Sequence, residues 1–384
     1  MAQRKRIALI FNVNKNWMGG TYYILNLINA LNTLPDRDKP EILLLCQTED
    51  DYKYAWEYTS YPHLSCRLTF KPKRFDMTKI VNRIYNKIFH NGNLLYLRRF
   101  DEKVDVIYPV LEKYQLKSPS PILHWIPDFQ ELHFPEYFSK FGLKYRKAKN
   151  KALFSSGNPV VFSSYDALKD AHEFYPESKN VKTPVLHFAS EIPQYDINNK
   201  NAIFKKFNID RPFLLCANQL WVHKNHMTLF KAVNLIKQQG HDILVLCSGG
   251  KKDHRNPEYH DSLEKYISDN NLSDNIKLLG LIERDELVCL MNECISIVQP
   301  SLFEGWNTGV EEAKAINKYL ILSDIPVHRE QVTQNATFFN PYDETELSEK
   351  LLNAYKSAPS VVETDYNRDI HKVAKDFISI IDNC

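Results

Sequence analysis

This 384-residue chain is poor in glycine, with only 11, and has no Gly-x-Gly-x-x-Gly. A dinucleotide dehydrogenase would therefore lack its fingerprint. The Walker A pattern is missing too, which removes the P-loop nucleotidases. The seven cysteines are odd in number, and none is spaced Cys-x-x-Cys. Most lie inside apolar runs such as Leu215-Cys216-Ala217 and Leu246-Cys247-Ser248. Buried thiols of this kind suit a reducing compartment better than a disulfide framework. No His, Cys and Asp cluster has the spacing of metal ligands, so no metal or other cofactor is expected. No run approaches the ~20 apolar residues of a membrane span. The run Ile7–Phe11 is too short for the core of a signal peptide. The formal net charge is only +2, and no nucleic-acid-binding module is recognisable, so nucleic acid is not an expected partner. The expected setting is cytoplasmic, either soluble or peripheral on the inner face of a membrane.

What is present is alternation. Hydrophobic content of 43% and charged content of 25% are globular values, and the length favours two domains. Strand-like and helix-like runs alternate from end to end, the pattern of an α/β parallel sheet. Ile7–Val13 reads as a buried strand, Met18-Gly19-Gly20 as a turn and Thr21–Leu34 as a helix. Further strands are expected at 42–46, 104–110, 122–126 and 160–163. Residues 186–201, rich in Asn and Asp and containing Pro193, read as a linker. A second series follows, with strands at 213–217, 243–247, 276–279, 294–299 and 319–323. Two domains are expected, 1–190 and 191–360, with a terminal segment 361–384 packing back on the first. Each would be a Rossmann-like, doubly wound half, and ligands would bind at the carboxyl ends of the strands, in a cleft between the halves.

The richest stretch is Pro300-Ser-Leu-Phe-Glu-Gly-Trp-Asn-Thr-Gly-Val-Glu-Glu-Ala-Lys-Ala315. It runs from a buried strand through a glycine-bearing turn into a helix. Free backbone N–H groups and the helix dipole make such a turn an anion site. Thr308 and Glu311 read as a capping box, which leaves Glu304 and Glu312 unexplained. The stretch closely resembles the Glu-x7-Glu signature of retaining glycosyltransferases of family 4, which have the GT-B fold. The resemblance implies that Glu304 holds donor-sugar hydroxyls and Glu312 the ribose. It also implies that Gly305, Trp306, Asn307 and Thr308 meet the diphosphate. Residues 217–226, Ala-Asn-Gln-Leu-Trp-Val-His-Lys-Asn-His, resemble the family's diphosphate-binding Lys-Asn segment, which makes Lys224 the phosphate cation. Most relatives carry an arginine a few residues upstream of that lysine, whereas this chain has Asn218 and Gln219. Gln219 or His223 would then donate neutral hydrogen bonds.

Residues 121–138 resemble the family's acceptor segment, with Pro127 where many relatives have histidine. Asp128 is the candidate base for the acceptor hydroxyl, and strand alternation places His124 on a buried face. Gly19 and Gly20 resemble the glycine pair of the first cleft loop, and the resemblance implies that they line the donor site. Asp36-Arg37-Asp38 matches the Asp-x-Asp metal motif of the other major glycosyltransferase fold. Between Pro35 and Pro40, though, aspartates are ordinary turn residues. Residues 66–103 carry ten Lys or Arg against three acids. Within them Ile80, Val81, Ile84, Tyr85, Ile88 and Phe89 share one helical face, with Lys79, Arg83 and Lys87 opposite. Residues 140–151 add six basic residues and no acid. A basic amphipathic helix can lie on an anionic membrane surface; it can equally pack on its own sheet as a solvated helix.

The resemblance implies a retaining glycosyltransferase that uses a nucleotide-diphosphate sugar and a glycan or lipid-linked acceptor, without a metal, in bacterial surface polysaccharide assembly. A sugar-nucleotide epimerase of the same fold and a non-catalytic binding subunit remain as alternatives.

Overall fold

The computed structural model describes residues 4–14, 18–70, 76–89, 94–253 and 255–383. The chain divides into two compact units, Met1–Ser190 with Asn367–Cys384, and Glu191–Tyr366.

The first unit runs β1 (Arg6–Ile10), α1 (Met18–Asn32), β2 (Glu41–Leu45), α2 (Glu49–Thr59), β3 (Leu64–Arg67), α3 (Met77–Phe89), β4 (Arg98–Arg99), β5 (Val106–Val110), β6 (Leu116–Lys117), β7 (Ile122–Ile126), α4 (Gln130–His133), α5 (Lys140–Phe154), β8 (Val160–Phe162) and α6 (Tyr165–Phe174). Six parallel strands form one sheet in the order β3-β2-β1-β5-β7-β8, and β4 pairs with β6. Strands β1, β2 and β5 are buried along nearly their whole length, because a parallel sheet has helices on both faces.

The second unit runs α7 (Lys200–Lys206), β9 (Leu214–Ala217), α8 (His226–Gln238), β10 (Val245–Ser248), α9 (Tyr259–Asp269), β11 (Ile276–Gly280), α10 (Arg284–Glu293), β12 (Ile297–Gln299), α11 (Thr308–Ala315), β13 (Leu320–Ser323), α12 (Pro326–Gln331), β14 (Ala336–Phe339) and α13 (Glu344–Lys356). Its sheet order is β11-β10-β9-β12-β13-β14. Alternate residues of the strands feed two apolar clusters: Leu214, Cys216, Val245 and Cys247 belong to one, Leu215, Leu244 and Leu246 to the other. The last helix, α14 (Asn367–Asp382), returns to the first unit. There Phe377 packs on the Tyr108 ring at 5.4 Å, and His371 Nδ1 meets Thr33 Oγ1 at 3.0 Å.

Both sheets have the doubly wound order, which reverses direction once. The reversal lies between β1 and β5 in one unit and between β9 and β12 in the other. Crevices at such points are where α/β sheets bind ligands.

Three expectations are corrected. Gly19 and Gly20 lie in the first turn of α1, not in a turn before it. The segment 186–201 is not all linker, because a 3₁₀ turn at Ile197–Asn199 leads into α7. His260, Asp261 and Glu264 on α9 bring ligand atoms within 4.8 Å of one another, although no such cluster is expected from the sequence spacing. The two acids are exposed, and such groups are common without an ion. Asp36-Arg37-Asp38 forms a 3₁₀ turn just before β2, at the opposite end of the sheet from the strands' carboxyl ends. Its Asp36 pairs with His63 at 2.9 Å and Arg4 at 2.6 Å, which hold its pKa below the usual range. Among the described residues six cysteines are free thiols, five of them buried, and Cys384 lies outside the described residues. No described helix is long and apolar enough to cross a membrane.

Candidate active site

The reversal point of the second sheet is where the sequence signature comes together. Strand β9 leaves the sheet through Asn218–Trp221, a 3₁₀ turn at Val222–Lys224, and Asn225 in the left-handed region at φ 58°. Asn225 then joins this loop to the next ones. Its side-chain amide donates to the carbonyls of Pro300 at 3.0 Å and Pro341 at 2.8 Å. The Leu302 N–H donates to the His223 carbonyl at 2.7 Å. So fixed, Lys224 Nζ reaches both oxygens of Glu304, at 2.7 and 2.9 Å. The two side chains are 14% and 7% exposed. A two-pronged pair this sheltered is strong, and either partner left alone would be costly.

Asn307 holds the other side of Glu304. Its side-chain nitrogen lies 3.1 Å from Glu304 Oε1, 3.4 Å from Gln299 Oε1 and 3.3 Å from His328 Nε2. Its side-chain oxygen accepts from the Val310 N–H at 3.3 Å. Asn307, not Thr308, is therefore the N-cap of α11, which corrects the expected capping box. Asn and Thr both cap well, and the neighbour that also reaches Glu304 took the position. The Asn307 amide is engaged by Gln331 Oε1 at 3.1 Å, so its contribution here comes through the side chain. Gly309 has a steric reason to be glycine: a Cβ there would stand 2.8 Å from the buried Gln299 Nε2. Gly305, Trp306 and Thr308 are half-buried around this helix start.

Glu312 pairs with Arg284 of α10 at 2.7 Å, both largely sheltered. Arg284 was missed in the sequence. A cation in the first turn of a helix opposes the dipole, so its position at the head of α10 is the signal that could have flagged it. Glu311, read as a capping residue, is instead buried. It binds Lys314 at 3.0 Å, Gln331 Nε2 at 2.9 Å and the Tyr366 hydroxyl at 2.7 Å.

The two residues that replace the relatives' arginine are engaged within the unit. Asn218 donates to Gln299 Oε1. Gln219 Oε1 accepts from the Gly250 N–H at 2.9 Å. Gly249 lies against Asn218 so closely that a Cβ would stand 2.0 Å from its carbonyl oxygen. His223 is buried, and desolvation first, then the charges of Lys224 and Arg255, push its pKa well down, so it is neutral. The Arg255 guanidinium lies 3.4 Å from His223 Nδ1 and 5.3 Å from the Trp221 ring centre. Arg255, from the loop after β10, thus brings a second cation to the Lys224 loop, and no local pattern marked it.

In the first unit, Asp128 is half-buried after β7, and its Oδ1 accepts from the Gln130 N–H at 3.1 Å. His124 is buried, with Nδ1 3.0 Å from the Val110 carbonyl and Nε2 3.1 Å from Ser156 Oγ. Burial lowers its pKa to about 4, so it is a neutral structural residue.

Residues 199–372, which contain Lys224, Glu304 and Glu312, match the family described as glycosyl transferases group 1. Residues 199–372 are thus similar to the group 1 glycosyl transferases, over 174 of the 384 residues. The chain is 31% identical over 150 residues to the O-antigen chain mannosyltransferase RfbU of Salmonella typhimurium, which is 39% of this chain and 40% of that protein. It is 31% identical over 147 residues to the N,N'-diacetylbacillosaminyl-diphospho-undecaprenol alpha-1,3-N-acetylgalactosaminyltransferase of Campylobacter jejuni, 38% of this chain and 35% of that one. The matched stretch thus spans well under half of these curated relatives. Among solved structures, Anabaena HepE in complex with UDP superposes with a TM-score of 0.65 at 13% identity, covering 99% of this chain and 100% of that one. Sucrose-phosphate synthase from Thermosynechococcus elongatus gives 0.63 at 15% identity, covering 98% and 95%. The chain's fold is therefore GT-B.

Proposed function

We propose that the protein is a retaining glycosyltransferase that moves a sugar from a nucleotide-diphosphate donor to a glycan or lipid-linked acceptor in the assembly of a bacterial surface polysaccharide. The observation that carries this reading is the Lys224–Glu304 pair beside the Asn307-capped start of α11. Without donor, the two charges satisfy each other. An incoming diphosphate competes for Lys224, and Glu304 is then released to accept hydrogen bonds from sugar hydroxyls. Glu312, oriented by Arg284, accepts from the ribose. As the glycosidic bond breaks, charge gathers on the leaving diphosphate, where Lys224 and the positive end of α11 stabilise it. The reading needs no divalent metal, because these groups supply the positive charge. The Campylobacter relative is named for transfer to a diphospho-undecaprenol-linked sugar, which supports the lipid-linked alternative for the acceptor.

Asp128 is the proposed base. Asp128→Asn should leave donor binding intact and lower transfer by ~10²-fold, the range of a lost general base. Transfer at the parental rate would make Asp128 only the turn residue that its bond to Gln130 describes. The reading as a whole is tested with a panel of nucleotide sugars, by thermal shift and then by nucleotide release with polyprenyl-diphosphate-linked glycans. One nucleotide class should raise Tm, and release should require acceptor. No response to any nucleotide would overturn it, and donor conversion without acceptor would point to an epimerase.

A further inference from the structure

Helix α3 turns its apolar strip outward. At 3.6 residues per turn, Met77, Ile80, Ile84 and Ile88 stack along one strip, and they are 56%, 39%, 55% and 62% exposed. Lys79, Arg83 and Lys87 form the adjoining strip, also exposed, and α3 contains no acid. The side turned inward carries the buried Asn82. Its oxygen accepts from the Leu94 and Leu95 amides at 3.0 and 2.8 Å, and its nitrogen donates to the Leu95 carbonyl at 2.9 Å. These bonds hold Leu94, Leu95 and Tyr96 beside the helix, and all three side chains are also exposed. Asp76, just before α3, is neutralised by Arg98 at 2.9 Å within a sheltered pair. What remains outside is apolar surface edged by positive charge.

Isolated apolar residues on a surface need no explanation, but seven large ones gathered on one helix and its neighbouring segment do. The charge says what covers them. A second copy meeting this face symmetrically would bring two cationic strips together without an acid between them. An anionic bilayer answers both strips at once, with acyl chains for the isoleucines and lipid phosphates for the lysines and arginine. We propose that α3 with Leu94–Tyr96 docks the protein on an anionic membrane surface, the helix lying in the interface with Ile80, Ile84 and Ile88 inserted. This deepens the lipid-linked acceptor reading and rests on it for its purpose, though not for its test. The basic helix α5 offers no equivalent, since it has no comparable apolar strip and its Arg146 and Lys151 pair with Glu131 and Glu177, each at 3.6 Å.

The test is co-sedimentation of the full chain with phosphatidylcholine vesicles, with and without phosphatidylglycerol, at low and high salt. The parent protein should sediment with anionic vesicles and release as salt rises. The triple variant Lys79→Ser/Arg83→Ser/Lys87→Ser should lose about 100-fold in vesicle affinity, at roughly 1 kcal/mol per basic residue near the surface. Ile80→Ser/Ile84→Ser/Ile88→Ser should lose binding that salt does not restore. All six side chains point outward, so both variants should keep the parental Tm. Failure of the parent to bind anionic vesicles at low salt overturns the proposal. So does an isoleucine variant that binds normally, or one that turns a dimer into a monomer without affecting vesicle binding. A parent that binds vesicles but no nucleotide would instead count against the glycosyltransferase reading.

Discussion

Glu304 and Glu312 lie eight positions apart and hold different cations, Lys224 and Arg284. That difference separates their expected roles. Glu304→Gln removes the counter-ion of Lys224 and leaves the lysine to a diphosphate. Free nucleotide should therefore bind at least as tightly, while turnover falls heavily. Glu312→Ala should weaken nucleotide binding itself by roughly 1–3 kcal/mol, the range of a lost charged hydrogen bond. Calorimetry with the free nucleotide separates the two, and equal affinity losses would refute the division. A second residue-scale expectation concerns protons. His124, with a pKa lowered to about 4, and the buried His223 and His328, also lowered, are neutral when folded. Unfolded histidines titrate near 6.5. Below that pH the unfolded chain binds protons that the folded chain refuses, so stability falls as pH drops from about 6.5 towards 4. The slope is at most ~1.4 kcal/mol per pH unit for each histidine. Urea midpoints at pH 7 and pH 5 measure it. A His124→Gln variant should show a shallower decline, and an unchanged slope would contradict the assignment for that residue.

At the scale of elements, legibility varied with how local the deciding interaction is. Strands β9, β10 and β12 were plain in the sequence because a parallel sheet buries both faces and leaves an unbroken apolar run. The start of α11 was misplaced by one residue, because Asn307 and Thr308 are both good caps and the choice turned on Glu304, Gln299 and His328. Helix α7 was hidden by its Asn and Lys content. In α3 the amphipathic pattern was visible, but its orientation was not. A polar residue, Asn82, faces inward to satisfy backbone groups twelve and thirteen positions away, and the isoleucines face out. The Lys224–Glu304 and Arg284–Glu312 pairs span 80 and 28 positions, and only the strand order brings them together. The α11 cap gives its own prediction. Asn307→Ala removes both the cap, at ~0.5–2 kcal/mol, and the donor beside Glu304. Asn307→Ser keeps a capping oxygen but is too short to serve Glu304. Serine should therefore recover most of the Tm lost in the alanine variant without recovering turnover. Recovery of both would mean that the cap alone matters.

At the scale of the whole molecule, chain order and fold order differ at the end. The chain leaves the first unit at Ser190, builds the second, and returns with α14. The second unit is closed before that return, because Tyr366 donates its hydroxyl to Glu311 and packs near Lys314. Beyond it, Val373, Ala374, Phe377 and Ile381 of α14 are buried in the first unit. Removing residues 367–384 should thus expose an apolar face of α1 and Tyr108 while leaving the β9–β12 crevice intact. Burial of Val373, Phe377 and Ile381 is worth about 1.5–3 kcal/mol each, and the whole stability of a typical domain is only ~5–15 kcal/mol. The truncated chain should therefore lose the cooperative unfolding of its first unit, seen as early proteolysis within residues 4–190. Nucleotide should still protect Glu191–Tyr366 and raise its melting temperature. If truncation abolished nucleotide binding while the first unit stayed protease-resistant, α14 would belong functionally to the second unit, and the assignment of the nucleotide contacts to Lys224, Glu304 and Glu312 without α14 would fail.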